Sequence, residues 1–239
     1  MFPMLRSKNI RFSSKILKYK IDLQINHTID TDMMQLYSWP TPNGHKVHIM
    51  LEECNLHYRL HPINIREGDQ SRPEFSSFAP NQKIPVLVDD CDTNGQPITV
   101  FESGAILLYL SEKSGRLLPT DLRGRYEAIQ WLMFQMSAVG PMFGQSNHFR
   151  HVCAESIPYA IERFGTEVRR IHRVLDHVLS SRVYLASDEY SIADIAVYPW
   201  LVSSGKHGID WKDYPNVRRW REVVGQRPAV QKGMSVFSS

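Results

Sequence analysis

The hydrophobic pattern of this chain changes period near residue 120, and that change limits the architecture more than any other feature. From Met34 to Pro119, short β-type runs alternate with stretches of helical period. "MQLYSW" reads as a strand. "NGHKVHIMLEECN" places Val47, Met50, Leu51 and Cys54 at the i, i+3, i+4, i+7 spacing of a helix with one apolar face. "YRLHPIN" is a second strand. "VLVDD" and "ITVF" flank "CDTNGQP", whose Asn94-Gly95 pair signals a hairpin. "SGAILLYLSEKSG" is then a helix closed by Gly115. Beyond Pro119 the strand signals vanish. "RGRYEAIQWLMFQMSAVGPM", "IPYAIERFGTEVRRIHRVLDHVL", "SIADIAVYPWLVSSG" and "YPNVRRWREVVGQ" all carry the helical period. Ser191 and Asp194 have the spacing of a capping box, with Asp in place of the usual Glu. The expectation is a small α/β domain over residues 33–119, in the order βαβ then ββα, followed by an all-α domain over 120–239.

Charge and composition remove several classes of function. No run approaches the roughly 18 apolar residues of a membrane span, so a soluble chain without a membrane partner is expected. The formal net charge of +3 resides entirely in residues 1–32, and the remainder is neutral. A basic leader on a balanced body is no nucleic-acid footprint. Cys54, Cys91 and Cys153 are too few and too scattered for a disulfide framework or a metal site, which points to a reducing, cytoplasmic compartment and no metal. The leader lacks the apolar segment of a secretory signal. It reads as a disordered extension, as sequence upstream of a start at Met33 or Met34, or as a faint transit peptide.

Three places carry chemistry. In "KIPVL", Ile84-Pro85 stands between a loop and an apolar strand. It reads either as a cis bond presenting the Ile84 N–H and C=O to an extended ligand, or as a proline that only caps the strand. In "FESGAI", Glu102 and Ser103 stand where strand gives way to helix. A helix N-terminus attracts carboxylates through its free N–H groups, and Ser103 also suits a plain cap. Thr41 and Asn43 occupy the turn that opens the first helix, where a hydroxyl and an amide can stabilise a thiolate but supply no nucleophile. Cys54 lies turns away on the apolar face and reads as a small buried hydrophobe. Tyr37 sits inside the strand, with a core role as its default reading.

The order of elements is thioredoxin-like. Together with "KIPVLVDD", "FESGAILLYLSEKSGRLLP" and "SIADIAVYPW", it resembles the cytosolic glutathione transferases from Met34 to about Gly233. "TPNGHKV", "RPEFSSFAPNQKIPVLVD", "GPMFGQSNHF" and "IPYAIERF" resemble the nu-class bacterial members, which reduce disulfide bonds with glutathione. The resemblance implies glutathione as bound thiol substrate and a twofold homodimer. It places Thr41 and Asn43 at the glutathione sulfur, as the catalytic pair. Ile84 and Pro85 fall at the cysteinyl backbone, with Glu102 and Ser103 at the γ-glutamyl end. Gln70 and Lys83 would serve the glycyl end, and Arg163 reads either as a glutathione contact or as a solvated helix charge. Some transferase classes activate glutathione with a tyrosine in the first strand, which keeps Tyr37 as an outside candidate. An open cleft under "GPMFGQSNHF", with Phe143, Gln145, Asn147 and His148, would host a second glutathione.

Three activities fit that reading. The first is thiol–disulfide exchange on a small disulfide, which needs a stabilised thiolate and room for a second sulfur. The second is conjugation or peroxidase chemistry on apolar electrophiles, which favours a drier and more aromatic pocket than Gln145, Asn147 and His148 provide. The third is a non-catalytic glutathione-binding regulator.

Overall fold

Alternation along "MQLYS" sets the first layer. In the computed structural model, which describes residues 33–238, strand β1 (Met34–Ser38) turns Met34, Leu36 and Ser38 into one side of the sheet. The expectations for the leader lie outside the described residues. Helix α1 (Pro42–Cys54) then carries the chain over to β2 (Tyr58–Pro62), which runs parallel to β1 with Leu60 beside Leu36. After the short helix α2 (Pro73–Ser76) come β3 (Val86–Asp89) and β4 (Ile98–Phe101), each antiparallel to its neighbour. The sheet order is β2-β1-β3-β4. Helix α3 (Ser103–Ser114) follows and ends at Gly115, whose φ of 66° gives the left-handed stop. This is the thioredoxin-like half. Leu36 and Leu87 pack with Val47, Met50 and Leu51 of α1 and Ile106, Leu107 and Leu110 of α3, while Phe75, Ala79 and Val86 form a smaller core with Tyr37 and Ile84.

The hairpin between β3 and β4 is built differently from a two-residue turn. Gly95 takes the left-handed position at φ 75° and its N–H bonds to the Asp92 carbonyl. The Asp92 carboxylate accepts from the N–H groups of Asn94 and Gln96 at 2.7 and 2.9 Å. Asn94-Gly95 marks the turn, and Asp92 shapes it.

The rest of the described chain is helical: α4 (Leu122–Phe134), α5 (Gly140–Asn147), α6 (Pro158–Leu179), α7 (Ile192–Leu201), α8 (Pro215–Gly225) and α9 (Pro228–Ser235). Among the described residues no helix is long and apolar enough to cross a membrane. Two features depart from the expected pattern. The single helix expected over 123–142 is interrupted by a π-helical turn at Gln135–Val139, which joins α4 to α5. Helix α9 was not expected, because eight residues with an interior glycine show no clear period. It packs on α1 so closely that a Cβ on Gly233 would lie 2.6 Å from the Ile49 nitrogen. Helix α1 is thus buried on more than one side, and its buried residues include Lys46, His48 and Glu53. Arg227, just ahead of α9, donates to both Glu53 carboxylate oxygens at 2.6 and 2.9 Å and lies 3.9 Å over the Tyr190 ring.

Asp194 organises the helical half. The capping box with Ser191 forms, and the carboxylate accepts from Leu185 N–H, Ser191 N–H and Trp220 Nε1–H at 3.0, 3.1 and 2.8 Å. Burial pushes its carboxyl up to about 6 despite these donors. Asp194→Ala strands three buried donors and should cost at least about 3 kcal/mol in urea unfolding. Asp194→Asn keeps one acceptor oxygen and should lose less. Equal stability of Asp194→Ala and the parent would show that the network holds nothing together.

Buried histidines set the acid limit. His172 lies between the Val168 carbonyl and Ser204 Oγ, His207 meets Ser146 Oγ, and His48 meets the Tyr58 hydroxyl. Burial pushes them down to about 4, 4 and 3. Their folded values lie below the unfolded value of about 6.5. Their stabilisation is therefore complete above that value and drains away as pH falls toward 4. Asp194, raised to about 6, opposes only one of the three. Melting temperature should fall between about pH 7 and about pH 5; a flat profile would mean that the imidazoles are not held neutral.

Candidate functional site

Two helices begin at the same small cleft. Helix α1 opens at Thr41, whose extended backbone (φ −125°, ψ 160°) and Oγ, accepting from the Gly44 N–H at 3.2 Å, make it the N-cap. Gly44 is required here, since a Cβ would lie 2.3 Å from the Trp39 carbonyl oxygen and 2.6 Å from Ser38 Oγ. That close approach brings the end of β1 against the first turn of α1. Asn43 in this turn is part-buried and lines the cleft. No acidic residue lies in the turn to neutralise its positive end.

The second wall is the junction of β4 and α3. The chain must pass from strand to helix in one residue, and Glu102 takes φ 68° to do so. A non-glycine residue there costs about 1–3 kcal/mol, and such strain concentrates at functional sites. Gln82, at φ 51°, is a second such residue and lies next to Lys83. Ser103, the first residue of α3, is buried on the cleft side, and the first turn of α3 holds no acidic residue either. Asn81, Lys83, Ile84 and Pro85 supply the third wall, and the Ile84-Pro85 bond is cis. Strand β3 begins at Val86, so Ile84 stays outside the sheet ladder. Asn81 Nδ2 donates to Glu102 Oε1 at 3.3 Å.

The enclosed space is about 50 Å³, enough for the head group of a ligand whose remainder lies along the surface. Its electrostatics are specific. Two helix N-termini and Lys83 favour an anion, while Glu102 is the one carboxylate in the lining. An α-amino acid head, with one carboxylate and one ammonium, matches both signs.

The sequence-derived residues divide. Asn43, Lys83, Ile84, Pro85, Glu102 and Ser103 meet in this cleft, with Asn81 and Phe101 beside them. Thr41 caps the helix behind Asn43; its lone pair is engaged by Gly44, and its O–H remains available to donate. Gln70 lies on a 3-10 turn at Asp69–Ser71 and is not among the lining residues. Arg163 is exposed on α6 and does not line the cleft either. Phe143 corrects an expectation: it is fully buried, stacked 5.4 Å from His172, and cannot line an open cleft. Gln145, Asn147 and His148 are exposed. Cys54 is buried with Ser114 Oγ at 3.3 Å, and burial pushes its thiol up, away from reactivity. Tyr37 stacks on His61 at 4.6 Å and is not among the residues lining the cleft.

The sequence reading missed Lys46, which is fully buried directly behind Ser103. Its ammonium donates to Ser103 Oγ at 3.1 Å and to Gln135 Oε1 at 2.5 Å. The sequence carries no signal for it, since the stripe Lys46, Ile49, Met50, Glu53, Cys54 includes two charged residues and shows its burial only in the packed helix.

The glutathione S-transferase N-terminal domain model matches residues 41–113, and the C-terminal domain model of the same family matches residues 160–228. The disulfide-bond oxidoreductase YfcG of Escherichia coli (strain K12) is 45% identical over 203 residues, covering 84% of this chain and 94% of that protein. A glutathione transferase from Pseudomonas putida, solved with one glutathione disulfide bound per subunit, superposes with a TM-score of 0.82 at 43% identity, covering 86% of this chain and 92% of that one. A family member from Pseudomonas fluorescens Pf-5, solved with two glutathione bound, gives a TM-score of 0.82 at 43% identity over 86% and 94% of the two chains. Matched in both halves, in order, and similar to these proteins across almost their whole length, the chain belongs to the glutathione S-transferase family.

Proposed function

We propose that this protein is a glutathione-dependent disulfide-bond oxidoreductase that activates the thiol of bound glutathione. The observation that carries the reading is the combination at the cleft: thiolate-stabilising groups are present, and none of the three cysteines lines it. The γ-glutamyl head sits with its α-carboxylate at Ser103 and the first turn of α3, and its ammonium at Glu102. The cysteinyl unit pairs with the backbone at Ile84, strand-fashion. Lys83 and Gln70 serve the glycyl carboxylate, and Arg163 joins once ligand extends toward α6. The sulfur then lies at the N-terminus of α1, where the Asn43 amide and the Thr41 hydroxyl donate to it and lower its pKa.

The chemistry follows from a stabilised thiolate. Glutathione thiolate attacks one sulfur of a substrate disulfide, forming a mixed disulfide and releasing the other sulfur as thiolate. A second glutathione thiolate attacks the glutathione sulfur of that mixed disulfide. Glutathione disulfide forms and the second substrate thiolate leaves. One substrate disulfide is reduced and two glutathiones are oxidised to one disulfide. Relatives solved with glutathione disulfide or with two glutathione support the stoichiometry. The polar lining, with Phe101 its one aromatic residue, favours this reading over conjugation to apolar electrophiles. The reaction consumes reduced glutathione, and all three cysteines are unpaired, which suits a cytoplasmic setting.

We also infer a twofold homodimer that joins the α/β half of one subunit to the helical half of the other. Exposed Phe101 at the end of β4 and exposed Leu122, Tyr126 and Met133 along α4 supply apolar surface for it. Sedimentation should give about twice the 27.7 kDa of the chain; a clean monomer at micromolar concentration would refute the pairing.

A variant with Cys54, Cys91 and Cys153 all changed to Ala should keep most of its glutathione-dependent reduction of a small disulfide, normalised to folded protein. Asn43→Ala should slow turnover by roughly ten- to a hundredfold, because hydrogen bonds to charged groups contribute about 1.5–3 kcal/mol. The ultraviolet absorbance of bound thiolate should then appear only at higher pH. A cysteine-free protein that folds and binds glutathione but does not turn over would place the exchange on a protein thiol.

A further inference from the structure

Lys46 is the most costly group near the cleft. It is fully buried, and among the described residues no carboxylate pairs with it. Its partners are the neutral atoms Ser103 Oγ at 3.1 Å, Gln135 Oε1 at 2.5 Å and Met136 Sδ at 3.7 Å. A buried ammonium without a counter-ion is unfavourable, and the usual remedies are a partner or loss of the proton. Here the side chain lies under the first turn of α3, and Ser103 separates it from the cleft. Because Ser103 Oγ accepts from Lys46, its own O–H is left to donate. At present that hydrogen points to Met136 Sδ at 3.7 Å, a weak acceptor that a carboxylate would readily displace.

We propose that Lys46 is the counter-ion for the γ-glutamyl α-carboxylate of glutathione, a positioning residue that acts through Ser103 and takes up its proton as that carboxylate arrives. The proposal rests on the glutathione reading above. The surrounding groups fit it. From the start of α3 come Ser103 and the preceding Glu102, the one charged side chain whose field is felt at the ammonium. The π-turn contributes Gln135 and Met136. On α1 itself His48 is held neutral by burial and His45 is pushed down as well. Burial pushes Lys46 down to about 7, with Glu102 pulling upward. A ligand carboxylate adds a second upward pull. In the window above 7 the free protein is thus largely unprotonated at Lys46 and the complex is protonated. Binding takes up a proton there, and affinity falls as pH rises, by up to about tenfold per unit.

The test is calorimetry near pH 8 (about one unit above the free value) with S-methylglutathione, which has no thiol to ionise. Two buffers of different ionisation enthalpy give the proton count. The parent protein should take up close to one proton per ligand. Lys46→Met should bind roughly tenfold or more weakly and keep only the smaller uptake that comes from the ligand's own α-amino group as it pairs with Glu102. Lys46→Arg, charged at every pH, should bind within a few-fold of the parent and show the same smaller uptake. A residue that only braced the fold would lower the melting temperature of Lys46→Met without altering the proton count. Unchanged affinity in Lys46→Met, or binding to the parent without proton uptake, overturns the proposal and leaves the glutathione reading standing. Failure of the parent to bind S-methylglutathione overturns both. If Lys46→Met does not fold, the parent and Lys46→Arg alone decide the matter through proton uptake.

Discussion

The cleft is referred to one helix, and that helix is held by two contacts so close that only glycine permits them. At its start, Gly44 lets the end of β1 press on the first turn of α1, with the Trp39 carbonyl where a Cβ would be. At its middle, Gly233 of α9 sits against the Ile49 backbone. Helices α3 and α7 complete the enclosure, so α1 has little freedom to slide or rotate. A helix N-terminus stabilises an anion only through its first turn, and the effect dies away with small displacements. Precise placement of Asn43 therefore depends on packing two turns further along.

The magnitudes at the site sort binding from chemistry. A helix dipole contributes typically 0.3–1 kcal/mol to an exposed anion, while a charged hydrogen bond contributes about 1.5–3 kcal/mol. The donors therefore decide, and the dipoles assist. Under the proposed function, contacts at Glu102 and Ser103 hold a ligand head that does not change during reaction, so they would favour substrate and transition state alike. In the same reading the donors at Asn43 and Thr41 face the atom whose charge changes. That reading assigns recognition to the start of α3 and reactivity to the start of α1.

Much of this was legible along the chain, for physical reasons that also explain the gaps. Period two and period 3.6 separate β1 from α1 and α6 because each half-buried element leaves its own stripe. Six of the expected residues lie at junctions between elements, where the sequence marks a change of period, and all six line the cleft. Lys46 was hidden because a lysine on a helix is usually solvated, and only the packing of α3 and the π-turn over it takes its surroundings out of water. Phe143 was placed in the cleft by the family resemblance alone, and nothing in the local sequence shows that His172 and His207, far along the chain, pack against its ring. Helix α9 left no stripe because Gly233, the residue that lets it dock, interrupts its pattern.

Two strained backbone positions and one buried cation border the cleft, and their placement has a consequence for stability. Glu102 and Gln82 hold positive φ, and Lys46 keeps a buried nitrogen among neutral partners. Each is unfavourable in the free protein, and under the proposed function a zwitterionic ligand head would set an ammonium at the Glu102 carboxylate and a carboxylate above Ser103 for Lys46. The fold tolerates them because the cost lies elsewhere compensated, in the Asp194 network and the Arg227–Glu53 pair, both outside the cleft lining. A ligand that binds only the folded state adds stability in proportion to the logarithm of its concentration over its dissociation constant. Relief of a pre-existing local cost enters that constant directly. On that reading the site is stabilised most by the ligand that answers both charges at once, and a carboxylate or an amine alone leaves one of the two charges without its partner.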